Sequence, residues 1–176
     1  MFNIEEFITY SEALANSATE HPDVLGLVLV GSAADTSRVD EWSDHDFFLI
    51  VKVGSGERLR KNLSWLPDSS KVSIAARETA HGLKVVYENG HVLEFAVFED
   101  PELELASVNY WAVPVDKTNI TSRVQAIEAR TSGSAFEEDK EWGLFLALIL
   151  IAVGRASRGE VLIAGQAIRS YYLMHV

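Results

Sequence analysis

The segment LVLVGSAADTSRVDEWSDHDFFLIV, residues 27–51, decides the fold of this chain. The almost continuous aliphatic run from Val24 to Val30 is typical of a strand that is buried on both faces, and it stops at Gly31-Ser32. A polar stretch follows, and a second, largely apolar run from Asp44 to Val53 predicts another strand. The pattern therefore predicts two strands joined by a glycine-serine turn and a polar loop.

Two acidic residues, Asp44 and Asp46, stand two apart where the second strand begins. Side chains at i and i+2 of a strand point to the same face, so the two carboxylates should project together while His45 points away. Two adjacent anions repel each other, and a divalent cation relieves that repulsion. Hard oxygen ligands suit magnesium or manganese. An isolated Asp-x-Asp is also compatible with a solvated strand end, and His45 with a structural role.

The turn Gly31-Ser32 has chemistry of its own. Glycine lets the backbone approach a ligand closely, and the amides that follow it and the Ser32 hydroxyl suit phosphate oxygens at the start of a helix. Ser32 is equally suited to capping that helix. Asp44 follows Ser32 by 12 positions, and the combination is far more specific than either feature alone.

The rest of the chain predicts an α+β fold, because helices surround a set of short strands and then dominate the C-terminal part. Residues 82–98 form a predicted hairpin with a type I′ turn at Asn89-Gly90. A short strand is predicted at 72–76, and helices at 3–20, 57–66, 101–108, about 119–131, about 135–157 and from 160 to the end.

The composition limits the partners. The net charge is −11, from 26 acidic and 15 basic residues, so no polymeric nucleic acid is expected; a small cationic acceptor fits better. The chain has no cysteine, and its N-terminus lacks a basic signal-peptide region, which together favour the cytoplasm. The apolar run Leu144 to Val153 is shorter than the ~20 residues that cross a bilayer, so it predicts a buried helix and no membrane partner.

The segment resembles the nucleotidyltransferase superfamily of DNA polymerase beta, and most closely the bacterial antibiotic nucleotidyltransferases that act on aminoglycosides and lincosamides. Their signature is a hydrophobic strand, Gly-Ser, about ten residues, and Asp-x-Asp before apolar residues. Val28-Leu29-Val30-Gly31-Ser32 and Ser43-Asp44-His45-Asp46-Phe47 match it position by position. The resemblance covers residues 24–98 well and the helical remainder loosely.

The resemblance implies a nucleotidyltransferase fold with a small mixed sheet, in which a third carboxylate comes from a later strand. Glu94 is the natural candidate, because an acid within an apolar strand is costly to bury unless it binds something. Asp44, Asp46 and Glu94 would hold magnesium, or manganese, and Glu94 is a metal ligand, a general base or both. Gly31 and Ser32 would bind the phosphates of ATP or another nucleoside triphosphate.

The resemblance further implies transfer of a nucleoside monophosphate to a hydroxyl with release of pyrophosphate. Residues 1–131 would be the catalytic domain and 132–176 a C-terminal helical segment. Because members of the family usually have a longer helical bundle, either this chain is a shortened member or a partner subunit, as in a homodimer, completes the cleft. The alternatives are a nucleotide- or partner-binding module without turnover and an antitoxin-like modifier of a protein hydroxyl. Further candidate contacts to nucleotide or phosphate, each with a packing or surface alternative, are Arg38, Trp42, Arg155, Arg158, Arg169, Tyr171 and Tyr172.

Overall fold

The computed structural model describes residues 4–40, 42–132 and 138–166 of the chain. It divides into two compact units, Met1–Gly133 and Ser134–Val176. The first unit holds a six-stranded mixed sheet with helices, and the second is helical where it is described. The predicted α+β class, with a small mixed sheet flanked by helices, is confirmed.

The sheet has the strand order β3-β4-β5-β2-β1-β6. All neighbouring strands run antiparallel except β2 and β5, which are parallel. The strands are β1 (Val24–Val30), β2 (His45–Val51), β3 (Val72–Arg77), β4 (Gly82–Tyr87), β5 (Val92–Glu99) and β6 (Trp111–Asp116).

Four α-helices are described, and short 3-10 helices lie between the strands. The α-helices are α1 (Ile4–Glu20), α2 (Gly56–Lys61), α3 (Ile120–Ser132) and α4 (Glu138–Ser157), with a further helical stretch over 161–166. The 3-10 helices are Gly31–Ala34, Thr36–Arg38, Ser69–Lys71 and Asp100–Leu105.

Alternating side chains of the strands build two cores, one on each face of the sheet. On one face, Phe7 and Leu14 of α1 pack with strand residues that include Leu49. On the other face, Ile120 of α3 packs in a cluster with Ile50. The first unit is therefore layered, because both faces of the sheet carry apolar side chains that a helix must cover.

Several predicted elements are confirmed and others needed correction, among them the helix predicted at 101–108, which is the 3-10 helix Asp100–Leu105. The strand 24–30 and the helix 3–20 are present, the latter as Ile4–Glu20. The helix predicted at 57–66 is wrong in its length: α2 ends at Lys61, Asn62 is extended, and its side chain accepts a hydrogen bond from the Ser64 amide. Leu66 still reaches the core, so its apolar spacing reflects packing rather than a helix.

The hairpin between β4 and β5 is present, but its predicted type I′ turn is wrong. That turn requires positive φ at both central residues, whereas only Gly90 of the Asn89-Gly90 pair has positive φ, 86°. The Gly90 amide donates to the Tyr87 carbonyl, and the Tyr87 amide to the His91 carbonyl. This is the pattern of a three-residue loop that ends in a left-handed glycine.

Strand β6 was not predicted from the sequence. It pairs with β1 at the edge of the sheet and contains Pro114, which argues against a central strand but is tolerated at an edge. Proline has no N–H to donate to a neighbouring strand. An edge strand tolerates it because one side of the strand has no neighbour that needs this hydrogen bond.

The apolar run Leu144 to Val153 lies within α4, but the prediction that it is buried is wrong in part. Leu150 is 73% exposed, and Leu146 and Val153 are also exposed. Over the described ranges, no helix combines the length and apolarity needed to cross a membrane. The predicted helix from 160 to the end is described only to residue 166, and residues 167–176 lie outside the described part.

Replacing Gly26 by alanine should destabilise the first unit, because the new Cβ would lie 2.6 Å from Ile120 Cγ1 and 3.2 Å from the Val115 carbonyl oxygen. Overpacking of this kind costs about 1–3 kcal/mol. Urea unfolding followed by circular dichroism measures the loss. Gly143→Ala is the control, since nothing lies within 4 Å of its added Cβ. Equal stability of Gly26→Ala and the unaltered chain would contradict the close packing of α3 against β1.

Candidate functional site

The parallel pairing of β2 with β5 brings the predicted acidic residues together. Asp46 of β2 lies opposite Glu94 of β5, and Asp44 immediately precedes β2. One carboxylate oxygen from each of Asp44, Asp46 and Glu94 lies within 4.8 Å of the other two. Three acidic side chains that are up to 50 positions apart in the sequence thus face one small space.

The three carboxylates open into a cleft of about 380 Å³. This volume lies within the range of small-ligand sites, about 300–1,000 Å³. Apolar strand residues form much of the wall, and polar groups come from the segment between β3 and β4. The lining residues are Val30, Asp44, Asp46, Phe47, Phe48, Glu78, Thr79, Gly82, Leu83, Glu94, Phe95 and Ala96.

The charge of the cluster affects the pKa of Asp46. Burial, and then the charges of Asp44 and Glu94, raise the pKa of Asp46 to about 6, against an ordinary value of 3.8, while Lys84 acts in the opposite direction. A cation in the cluster would remove this repulsion. The donors are carboxylate oxygens, which suit magnesium or manganese. The arrangement therefore fits a hard divalent cation.

Glu94 reaches the cluster for a different reason from the one that the sequence suggested. Its side chain is 48% exposed rather than drawn inward, and it forms an ion pair of 3.1 Å with Lys84. The neighbouring Leu93 and Phe95 are buried on the opposite face. The argument from the cost of a buried acid was wrong, because the face that carries Glu94 is open at this point.

His45 points away from the two aspartates, as the alternation of strand side chains predicts. It is fully buried beside α1, where its ring stacks on Phe7 with 3.7 Å between centroids. Its ring nitrogens form hydrogen bonds with Ser11 Oγ (2.8 Å) and with His91 Nε2 (2.7 Å). His91 lies just before β5, so this pair ties the two strands that carry the acids.

The Gly31-Ser32 turn lies against the cluster, but no long helix begins there. Gly31 has φ 60°, and a Cβ added to it would lie 3.3 Å from Asp46 Oδ2. Its amide donates to the Tyr110 carbonyl and is therefore engaged. The helix expected here is a short 3-10 helix, Gly31–Ala34. The close approach of Gly31 to Asp46 is thus present, and phosphate binding by the Ser32 hydroxyl and the amides after Gly31 stays a prediction.

Of the other predicted contacts in the first unit, neither Arg38 nor Trp42 lines the cleft. Trp42 is 77% exposed, and the Arg38 guanidinium lies 4.4 Å above the Tyr110 ring. Within the second unit, Arg155 and Arg158 both form ion pairs with Glu160. Arg169, Tyr171 and Tyr172 lie outside the described residues.

Sequence reasoning missed Glu78, Thr79 and Lys84. Lys84 lies opposite Glu94 in the β4–β5 hairpin, and its ammonium also pairs with Glu78 at 3.2 Å. Counting outward from the predicted two-residue turn at Asn89-Gly90 would have paired Glu94 with Val85. The observed three-residue loop shifts the register by one and places Lys84 beside Glu94. The cleft position of Glu78 and Thr79 had no comparable signal.

No protein-family model matches the chain, and no curated protein matches it. The solved structures that are similar to the chain include the following two. A STING-associated CdnE c-di-GMP synthase from Capnocytophaga granulosa is 16% identical, with a TM-score of 0.37, over 73% of this chain and 46% of that one. The E. coli MS115-1 CdnC:HORMA-deltaN complex is 14% identical, with a TM-score of 0.41, over 90% and 52%. The chain spans about half the length of each matched chain.

Lowering the pH from 7 to 5 should reduce the free energy of unfolding. Burial depresses the pKa of His45 to about 3 and that of His91 to about 4, from an ordinary 6.5. Below pH 6.5 the unfolded chain takes up protons that the folded chain does not, so up to about 2 kcal/mol per histidine is lost at pH 5. Urea unfolding at both pH values measures this, and an unchanged or rising stability would contradict it.

The raised pKa of Asp46 changes the free energy of unfolding in the opposite direction in the same experiment. Its ionisation opposes folding above about pH 4, and the opposition lessens as the pH falls below about 6. Asp46→Asn should therefore be more stable than the unaltered chain by about 1–3 kcal/mol at pH 7, and by less at pH 5. A variant that is less stable at pH 7 would show that the carboxylate is not strained in the metal-free protein.

Proposed function

We propose that this chain is a metal-dependent nucleotidyltransferase. It moves a nucleoside monophosphate, AMP from ATP, to a hydroxyl group of a small cationic acceptor, and pyrophosphate leaves. The observation that carries the proposal is the convergence of Asp44, Asp46 and Glu94 within 4.8 Å beside the Gly31-Ser32 turn. The sequence signature of the superfamily falls on these same residues, apart from Glu94, which lies on the expected later strand.

Asp44, Asp46 and Glu94 would hold the divalent cation, magnesium or manganese. When bound, such a cation neutralises phosphate charge and favours the ionised form of an attacking hydroxyl. In its absence, burial and then the charges of Asp44 and Glu94 raise the pKa of Asp46. These residues therefore provide the positioning and the charge stabilisation on which phosphoryl transfer depends.

In the proposed reaction the acceptor oxygen forms a bond to the α-phosphorus of ATP. The bond from that phosphorus to the bridging oxygen of the β-phosphate breaks, and pyrophosphate carries away the electron pair. The acceptor proton passes to the Glu94 oxygen that does not hold the cation, because Glu94 is the most exposed of the three carboxylates. The Ser32 hydroxyl would donate to an outer phosphate oxygen, and Gly31 leaves room for the phosphates beside Asp46.

A cationic acceptor is proposed because the chain carries a net charge of −11 and the cleft adds Glu78 to the three acids. Such a field raises the local concentration of a polyamine or an aminoglycoside-like molecule. A protein hydroxyl is the second acceptor class for the same chemistry. Residues 1–131 are proposed as the catalytic domain of a cytoplasmic protein, with 132–176 as a helical segment to which a second copy contributes in a homodimer.

The competing proposal is a nucleotide-binding module that does not turn over. The ion pair between Glu94 and Lys84 favours it, since Glu94 is then already neutralised and half exposed. The two proposals differ in one product, because only the enzyme releases pyrophosphate.

Asp44→Asn, Asp46→Asn and Glu94→Gln should each lower pyrophosphate release from ATP and magnesium by more than roughly 100-fold. Loss of an outer partner of a metal ligand alone costs roughly 10–100-fold, and a ligand itself should cost more. The assay uses aminoglycosides, lincosamides, candidate proteins and ATP alone as acceptors. Glu20→Gln is the control, because it removes one negative charge from the exposed end of α1.

Release that all three substitutions spare would exclude these residues from the reaction. Metal-dependent ATP binding that Asp46→Asn removes, without pyrophosphate from any acceptor, would favour the binding module. A chain that binds neither ATP nor a divalent metal would contradict both proposals.

A further inference from the structure

Lys84 stands in line with the acidic cluster across three neighbouring strands. Asp46 of β2 is the register partner of Glu94 in β5, and Glu94 is the register partner of Lys84 in β4. Register partners in adjacent strands carry their side chains on the same face. The order of charges along this row is therefore acid, acid and base.

The Lys84 ammonium bridges two acids of the cleft. It lies 3.1 Å from Glu94 Oε2 and 3.2 Å from Glu78 Oε1, and both glutamates line the cleft. These contacts raise the pKa of Lys84, so the ammonium stays charged. Its charge also reaches Asp46, whose pKa it acts to lower. Lys84 is thus the cation that neutralises the third carboxylate when no metal does.

This ion pair is easily exchanged. Lys84 is 45% exposed and Glu94 48%, and exposed pairs of this kind contribute little because water screens them. A divalent cation held by three carboxylates interacts with Glu94 more strongly than one screened ammonium. Lysine also has a long, flexible stem, so the ammonium can move to a new anion without a change in the backbone.

We propose that Lys84 is a substrate-binding residue which exchanges partners when the site is loaded. In the metal-free protein it holds Glu94. In the loaded protein Glu94 turns to the metal, and the Lys84 ammonium binds a phosphate oxygen of the nucleoside triphosphate. This inference rests on the proposed function, because it needs both a metal and an anionic substrate in the cleft.

The exchange gives Lys84→Met an unusual signature, with two affinities that move in opposite directions. Manganese binding without nucleotide, measured by calorimetry, should become about 3- to 10-fold tighter, because a competing cation is gone. Binding of an ATP analogue with a methylene between its α- and β-phosphorus atoms, in the presence of manganese, should weaken roughly 10-fold or more. Lys84→Arg keeps the charge and should restore most of the analogue affinity.

Lys71→Met is the matched control. Lys71 is also exposed, and it forms an ion pair of 2.9 Å with Asp68 rather than with Glu78 or Glu94. It should change neither affinity. Circular dichroism of each variant verifies folding.

If the unaltered chain binds manganese and the analogue but Lys84→Met changes neither affinity, the Lys84 inference fails and the proposed function stands. If both affinities of Lys84→Met weaken together, Lys84 supports the site only structurally and the exchange is overturned. If the unaltered chain binds no manganese, the proposed function fails and the exchange fails with it.

Discussion

The site depends on one constraint, the parallel pairing of β2 with β5. A shift of that register by one residue would turn Glu94 to the opposite face, because strand side chains alternate. The buried His45–His91 contact lies at the same end of the two strands and fixes their alignment from beneath the acids. A neutral, hydrogen-bonded histidine pair can be buried there because its partners satisfy its polar nitrogens. The contacts on the buried face of β2 therefore fix the strand register that brings the acids together on its other face.

The sequence predicted the elements that carry the chemistry with some accuracy. The buried strand β1 was predicted because its residues are aliphatic apart from Gly26. The i, i+2 rule placed Asp44 and Asp46 together and His45 on the opposite face. Glu94 was placed through a resemblance and an argument about burial. The position was useful and the argument was wrong, since burial depends on what covers a strand face, and no local pattern encodes that.

Other features lay beyond a single sequence for physical reasons. The edge strand β6 contains Pro114, and only its place in the finished sheet makes proline acceptable. The end of α2 at Lys61 depends on the Asn62 side chain, while the apolar spacing continues to Leu66. The role of Lys84 depends on hairpin register. For β6 and Lys84, strand pairing decides between structures that the same residues allow, and for the end of α2 a local side-chain hydrogen bond does.

The most direct test is anomalous diffraction from crystals of this chain grown with manganese. A peak bonded to carboxylate oxygens of Asp44, Asp46 and Glu94 is the expected result. The contradicting result is the absence of an anomalous peak at this cluster at manganese concentrations that saturate binding in solution. The three acids would then lie together without binding the cation.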